Sequence, residues 1–199
     1  VADEREWIVA TTNAGKLAEM SRLLAASRIR SVGLGEILAP PLPEEGEQYE
    51  SNARAKARCI AAATGRAAVA DDSGLEVDAL GGRPGARSAR HGGPGLDDAG
   101  RIARLLDELR GVVGARRSAR FVCVVALATP EGAEILARGV CEGRILEAPS
   151  GRGGFGYDPV FAPLGHDRSM AELGPHEKDA ISHRGRAVAA LLSMLAPAR

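Results

Sequence analysis

The chain has 199 residues, 45% of them hydrophobic, which is enough apolar material for one compact domain with a sizeable core. Its 26 basic side chains are matched by 26 acidic ones, so no global field would hold a long polyanion such as DNA or RNA, and a charged ligand must be met by local charge. The three cysteines, Cys59, Cys123 and Cys141, are far apart and lack the paired spacing of a zinc site or a disulfide framework, so reduced, buried thiols are expected.

Val1 to Arg5 is charged and runs directly into a short apolar segment without a signal-peptide pattern, and no stretch approaches the roughly 20 apolar residues of a membrane span. A soluble, cytoplasmic protein is the expectation. Trp7 to Thr11 then reads as a strand, and Ala14 to Ala26, with Leu17, Met20, Leu23 and Leu24 at helical spacing, as a helix. Between them stands Thr11-Thr12-Asn13-Ala14-Gly15-Lys16. Free backbone N–H groups at a helix start favour a phosphate, and Lys16 in the first turn adds a full charge. An ordinary Asn cap with a solvated lysine explains the same residues, and the glycine and lysine spacing of a Walker A loop is absent.

Ser31 to Gly46 is rich in Pro and Gly and reads as a loop that ends in Glu44-Glu45-Gly46, either an exposed acidic turn or the source of a metal-binding carboxylate. Tyr49 to Ala63 is Ala-rich and closed by Gly65, a second helix on which Asn52 and Lys56, four apart, share one face. Ala67 to Ala70 predicts a buried strand feeding Asp71-Asp72-Ser73-Gly74. Carboxylates at the mouth of such a strand suit a hard cation and an oriented water; an Asx turn is the plainer alternative.

Gly81 to Gly95 is irregular, Asp97 to Leu109 is helical, and Phe121 to Ala128 with Ile135 to Ile145 forms a hairpin around Thr129-Pro130-Glu131-Gly132, so part of the sheet is antiparallel. Of the six aromatic residues, Phe155, Tyr157 and Phe161 fall in one glycine-bearing run from Gly154. Glycines on both sides of Phe155 allow its ring to stack on a planar base, with satellite core packing as the other reading. Lys178 to Leu195 predicts one last helix, opening with Lys178 and Ser182-His183-Arg184. Such donors suit the acceptor edge of an oxo-substituted purine and leave adenine's amino group unpaired; a surface His and Arg is the alternative. The order of elements gives an α/β fold with a mixed sheet, and neither an internal repeat nor an inter-domain linker is visible.

Taken together and in order, Thr12-Asn13 with Lys16, Glu44 and Gly46 with Asn52-Ala53 and Lys56-Ala57, Ala70-Asp71-Asp72-Ser73-Gly74-Leu75, Pro84-Gly85 with Ser88-Ala89-Arg90, Gly153 to Phe161, and Lys178 through Ser182-His183-Arg184-Gly185 resemble the inosine triphosphatase family, the deoxyinosine/xanthosine triphosphate pyrophosphatases. The resemblance spans essentially all of the chain. It implies a single two-lobed domain over residues 1–199, with a long mixed β-sheet flanked by helices and a substrate cleft between lobes, Mg²⁺ dependence and a homodimer. It also implies hydrolysis of ITP, dITP and XTP to monophosphate and pyrophosphate, a cleansing of the nucleotide pool.

Carried onto matching positions, the resemblance makes Asp72 the general base and a metal ligand, Glu44 a metal ligand, and Asp71 a supporting acid at the metal. Thr11, Thr12, Asn13, Ala14, Gly15, Lys16 and Lys56 would meet the triphosphate, and Ser73 the substrate. Phe155, Gly156, Tyr157, Asp158, Lys178, His183 and Arg184 would form the base pocket. Glu45 is a plausible substitute for Glu44. The chain departs from the family pattern at His91, where an aromatic is common, and at Gly100-Arg101, where an Asn is frequent. A pyrophosphatase for another modified nucleotide, using the same phosphate machinery, and a nucleotide-binding sensor without hydrolysis are the alternatives; the sensor would have no need of the water-positioning acid.

Overall fold

The computed structural model describes residues 5–195. Val1 to Glu4, part of the charged amino-terminal stretch, lie outside the described residues. Strands β1 (Glu6–Val9), β2 (Arg30–Gly33), β3 (Ala68–Val77), β5 (Ser118–Ala128), β6 (Glu134–Ile145) and β7 (Phe161–Pro163) form a mixed sheet in the order β2-β1-β3-β5-β6-β7. The short β4 (Pro84–Gly85) pairs antiparallel with β3. β1 runs parallel to both β2 and β3, with Ile8 opposite Val32 and Ala68, whereas β7 runs antiparallel to β6.

The chain divides into two compact units. The first comprises residues 5–72, Cys123–Gly139 and 183–195, with helices α1 (Ala14–Ala25), α2 (Tyr49–Thr64) and α5 (His183–Leu195). Its core is Trp7, Val9, Met20, Leu24, Val69, Cys123, Val125, Leu127, Val188 and Leu191. The apolar stripe of α1 explains its membership: Met20 and Leu24, four apart, are both fully buried. The second unit comprises Ser73–Val122 and Val140–Ser182, with α3 (Asp98–Glu108) and α4 (Pro175–Ile181). Its core gathers Leu75, Val77, Leu105, Leu109, Phe121, Tyr157, Phe161 and Met170, with the Phe121 and Phe161 rings tilted at 52° and 4.5 Å apart.

Four expectations are corrected. The stretch from Ser31 is not all loop, because Ser31, Val32 and Gly33 belong to β2. The strand expected to end at Ala70 continues to Val77, so Asp71 and Asp72 stand inside an interior strand and not at its mouth. The helix expected over 178–195 is broken at Ser182, whose backbone is extended at φ −68° and ψ 157°. Its apolar positions serve different cores: Ile181 packs on the core of the second unit, Val188 and Leu191 on that of the first. Finally, Cys123 and Cys141 are buried free thiols as expected, while Cys59 is only partly buried.

Candidate active site

The turn after β1 is organised by Asn13, the cap of α1. Its Oδ1 accepts the Lys16 N–H at 2.9 Å, and the Asn13 N–H donates to Thr11 Oγ1 at 3.2 Å. A cap of this kind stabilises a helix start by about 1 kcal/mol, and it fixes where the Lys16 side chain leaves the helix. Thr12, Asn13 and Ala14 are exposed, and Thr11 and Gly15 half-buried, so the turn's backbone is open to a ligand. Lys16 Nζ lies 3.2 Å from Asp71 Oδ2.

Asp71 and Asp72 are neighbours in β3, so their side chains leave on opposite faces of the strand. Both are buried. The Asp71 carboxylate meets Arg184 Nη2 at 2.9 Å, and Arg184, at 1% exposure the largest fully buried side chain, also pairs through Nη1 with Glu19. Cys123 Sγ stands 3.8 Å from the same Asp71 oxygen. Burial opposes ionisation of Asp71, but Arg184, Lys16 and Lys56 together outweigh it and hold this carboxyl far below the ordinary range. Burial and the Asp71 charge push the Cys123 thiol up, so it stays protonated.

On the other face, Asp72 Oδ2 accepts a 2.7 Å hydrogen bond from Asn52 Nδ2, and its Oδ1 lies 4.0 Å from Lys56 Nζ. Burial raises the proton affinity of Asp72, and Glu45 adds to it; Lys56, Asn52 and Lys16 pull the other way without cancelling the rise. Glu44 is exposed. It is Glu45 whose Oε1 stands 2.5 Å from Lys56 Nζ.

The Asp71 anion is already matched by two cations, Lys16 and Arg184. Among the described residues no three or more His, Cys, Asp or Glu side chains are grouped to hold a metal ion. Asp72 with a carboxylate from 44–45 remains a set of hard oxygen donors, and Mg²⁺ characteristically takes one or two carboxylates and completes its shell with substrate phosphate oxygens and water.

The aromatic segment belongs to the second unit. Asp158 accepts the Phe155 N–H at 2.9 Å and pairs with Lys178, whose Nζ sits 5.0 Å from the centre of the Phe155 ring. Gly156 N–H donates to Asp98 Oδ2 at 2.7 Å. Gly154 has φ +70°, and a Cβ there would run into the Asp158 carboxylate, so glycine is required for the loop to close on Asp158. Only Phe155 among the three aromatics keeps a partly exposed ring, since Phe161 is core and Tyr157 is buried with its hydroxyl donating to Ser88 O at 3.1 Å. Ser73 is half-buried in β3.

In the first unit, α5 starts against the backbone of β6, where a Cβ on Gly139 would come within 2.2 Å of His183 O and 2.4 Å of Ala187 N. That close approach sets the position of buried His183 and Arg184 at the helix start. Arg184 thus anchors Asp71 and Glu19 instead of presenting its guanidinium as a solvent-facing donor. The sequence reading missed Glu19 and Asp98, and it placed Asn52 beside Lys56 without its hydrogen bond to Asp72. Glu19 and Asp98 look like ordinary helical acids, and only the shared face of Asn52 and Lys56 hinted at a joint role.

The interior strand of this α/β fold thus carries one cation-matched carboxylate and one whose burial favours the proton, with a lysine beside each. Residues 7–194 match the family model described as the Ham1 family, and the chain belongs to that family. It is 50% identical over 192 residues to a protein of Mycobacteroides abscessus named dITP/XTP pyrophosphatase, covering 94% of this chain and 93% of that one. A protein of the same name from Nocardia farcinica is 52% identical over 195 residues, covering 95% and 94%. The solved structure of a HAM1 protein from Coxiella burnetii superposes with a TM-score of 0.85 at 43% identity, covering 98% of this chain and all of that one.

Proposed function

We propose that this protein is a nucleoside triphosphate pyrophosphatase that hydrolyses deaminated purine nucleoside triphosphates, the ITP, dITP and XTP class, to the monophosphate and pyrophosphate. Family membership and the names of its relatives support the reaction class. The observation in the structure that carries the reading is the contrast at Asp71 and Asp72: of two adjacent buried carboxylates, Asp71 meets Arg184 at 2.9 Å and Lys16 at 3.2 Å, whereas Asp72 is held by the Asn52 amide with Lys56 at 4.0 Å, surroundings in which burial raises its proton affinity, as suits a general base.

In this mechanism Asp72 takes a proton from the water that attacks the α-phosphorus, and the bond to pyrophosphate breaks on the opposite side. Lys16 and Lys56 offset charge on the triphosphate, with Asn13 and the backbone of Thr11, Thr12, Ala14 and Gly15 receiving phosphate oxygens and Ser73 a further contact. Asp71 exchanges no proton; it holds Lys16 in place. Mg²⁺ is the cofactor we assign, held by Asp72 and a carboxylate of Glu44 or Glu45, and when bound it supplies positive charge to the triphosphate and the leaving group.

Base recognition is assigned to Phe155 by stacking and to Gly156, Asp158, Lys178 and His183 by hydrogen bonding, with Tyr157 and Arg184 acting through the groups they hold. We further assign residues 1–199 to one catalytic domain, a homodimeric assembly and a cytoplasmic setting. Among the described residues no helix is long and apolar enough to cross a membrane.

The test is pyrophosphate release from inosine, xanthosine, adenosine and guanosine triphosphates, with Mg²⁺ and with chelator. Metal-dependent turnover of the first two far above the second two is expected. Equal turnover of all four would remove the substrate assignment, and no turnover of any would remove the reaction.

A further inference from the structure

We propose that Asn52 is a positioning residue that orients the Asp72 carboxylate and, through the same side chain, ties the acidic 44–46 segment to it. The proposal rests on the reading of Asp72 as the general base.

Asn52 lies in the first turn of α2 and is 5% exposed. Its Oδ1 accepts the Gly46 N–H at 2.7 Å, while its Nδ2 donates both to Gly46 O at 3.2 Å and to Asp72 Oδ2 at 2.7 Å. One side-chain amide thereby uses its carbonyl and both of its N–H bonds, and it closes both backbone groups of Gly46. The assignment of O and N is forced: an ionised carboxylate only accepts, so nitrogen must face Asp72, and the Gly46 N–H in turn requires oxygen.

Chemistry follows from this closure. With one carboxylate oxygen held by Asn52, the plane of Asp72 is fixed, and Oδ1 is the oxygen nearer to Lys56. One helical turn further along α2, Lys56 reaches Glu45, so α2 grips the acidic segment twice, by backbone through Asn52 and by side chain through Lys56. Base, lysine and acidic segment are consequently set by one rigid helix, where a displacement of about 1 Å can cost about a hundredfold in rate. No apolar residue of the same volume could do this.

The experiment compares Asn52→Leu and Asn52→Asp with the wild type on inosine triphosphate, with Asp72→Asn and the Asn52→Leu/Asp72→Asn double variant alongside. Asn52→Leu keeps the branching and the number of heavy atoms and removes all three hydrogen bonds. Asn52→Asp keeps the acceptor for Gly46 N–H but sets a second carboxylate against Asp72. We expect kcat to fall about a hundredfold in each, with KM within about threefold, and the Asn52→Leu loss to vanish on the Asp72→Asn background. A second readout needs no turnover: exchange of the Gly46 amide proton should be faster in Asn52→Leu and stay slow in Asn52→Asp.

A kcat within about threefold of wild type in both single variants would overturn the proposal, as would a full additional loss on the Asp72→Asn background. Unchanged Gly46 exchange in Asn52→Leu would overturn the loop-tying half. If Asn52→Leu fails to fold, the isosteric Asn52→Asp carries the test. If Asp72→Asn keeps full turnover, the base assignment fails, which is a separate result from an inert Asn52.

Discussion

Asp71 and Asp72 share a strand, a residue type and nearly complete burial, yet their surroundings push them in opposite directions. The face of Asp71 is filled by Arg184 and Lys16, with Glu19 behind the arginine, and a carboxyl held there is an anion at any workable pH. The face of Asp72 offers an amide and a more distant lysine, and burial prevails. The period of two residues along a strand makes this possible, because adjacent side chains sample unrelated neighbours. At one position the anion is held by cations; at the other, burial favours the proton-bound form.

The largest effect that would break this contrast is on turnover. Asp72→Asn should lower kcat by about a thousandfold or more, within the usual range for loss of a general base, while leaving substrate binding largely intact. The fold should be as stable or more stable at neutral pH, because removing a carboxylate whose ionisation the fold disfavours removes a penalty. Full activity in this variant would end the base assignment. Asp71→Asn should do the reverse, costing about 3–5 kcal/mol of stability by taking from the buried Arg184 charge the carboxylate at its Nη2, and lowering kcat only by loosening Lys16. Denaturant unfolding of the two variants side by side decides it, and a loss of stability in Asp72→Asn equal to that in Asp71→Asn would remove the distinction.

How far this was legible in sequence depends on the span of each interaction. The Asn13 cap and the Lys16 position were readable because the hydrogen bond reaches only three residues along the chain. The shared face of Asn52 and Lys56 was readable from helical periodicity alone. The partners that set the two aspartates apart were not, because Asp71 is met by Arg184 at a separation of 113 residues, and that arginine by Glu19 at 165. The break at Ser182 was invisible for another reason: Ile181 and Val188 are about two helical turns apart, so their spacing is that of a continuous helix although they pack on different cores. Strand β2 escaped because four residues with a serine and a glycine carry too little apolar alternation.

A finer way to sharpen the comparison is the dependence of stability on pH, where the two carboxylates carry opposite signs. Asp71 has a folded-state affinity below its ordinary 3.8, so its contribution is present above that value and is lost as pH falls below it. Asp72 is raised above 3.8, so the fold is relieved of its cost below that value and bears it as pH rises. Melting curves from about pH 3 to pH 7 should show the wild type's advantage over Asp71→Asn shrinking on acidification, and the advantage of Asp72→Asn over the wild type shrinking as well. Differences of the same sign in both variants would mean that the environments are alike after all.

The smallest expected effect lies in the second unit, where the charge logic is absent. Phe155 keeps a partly exposed ring with Lys178 against it, and its neighbour Tyr157 is tied to Ser88 O in the core. If the ring stacks on the base, Phe155→Ala should raise KM about tenfold, in line with the usual worth of one base–aromatic stack, and leave kcat within about threefold. Stability should change little, since the ring is not among the buried core. The split matters because a residue that binds substrate and transition state equally moves KM alone, whereas Asp72 should move kcat alone. An unchanged KM would leave Phe155 as a lid over Lys178 and Asp158 and shift base recognition onto the donors of the segment.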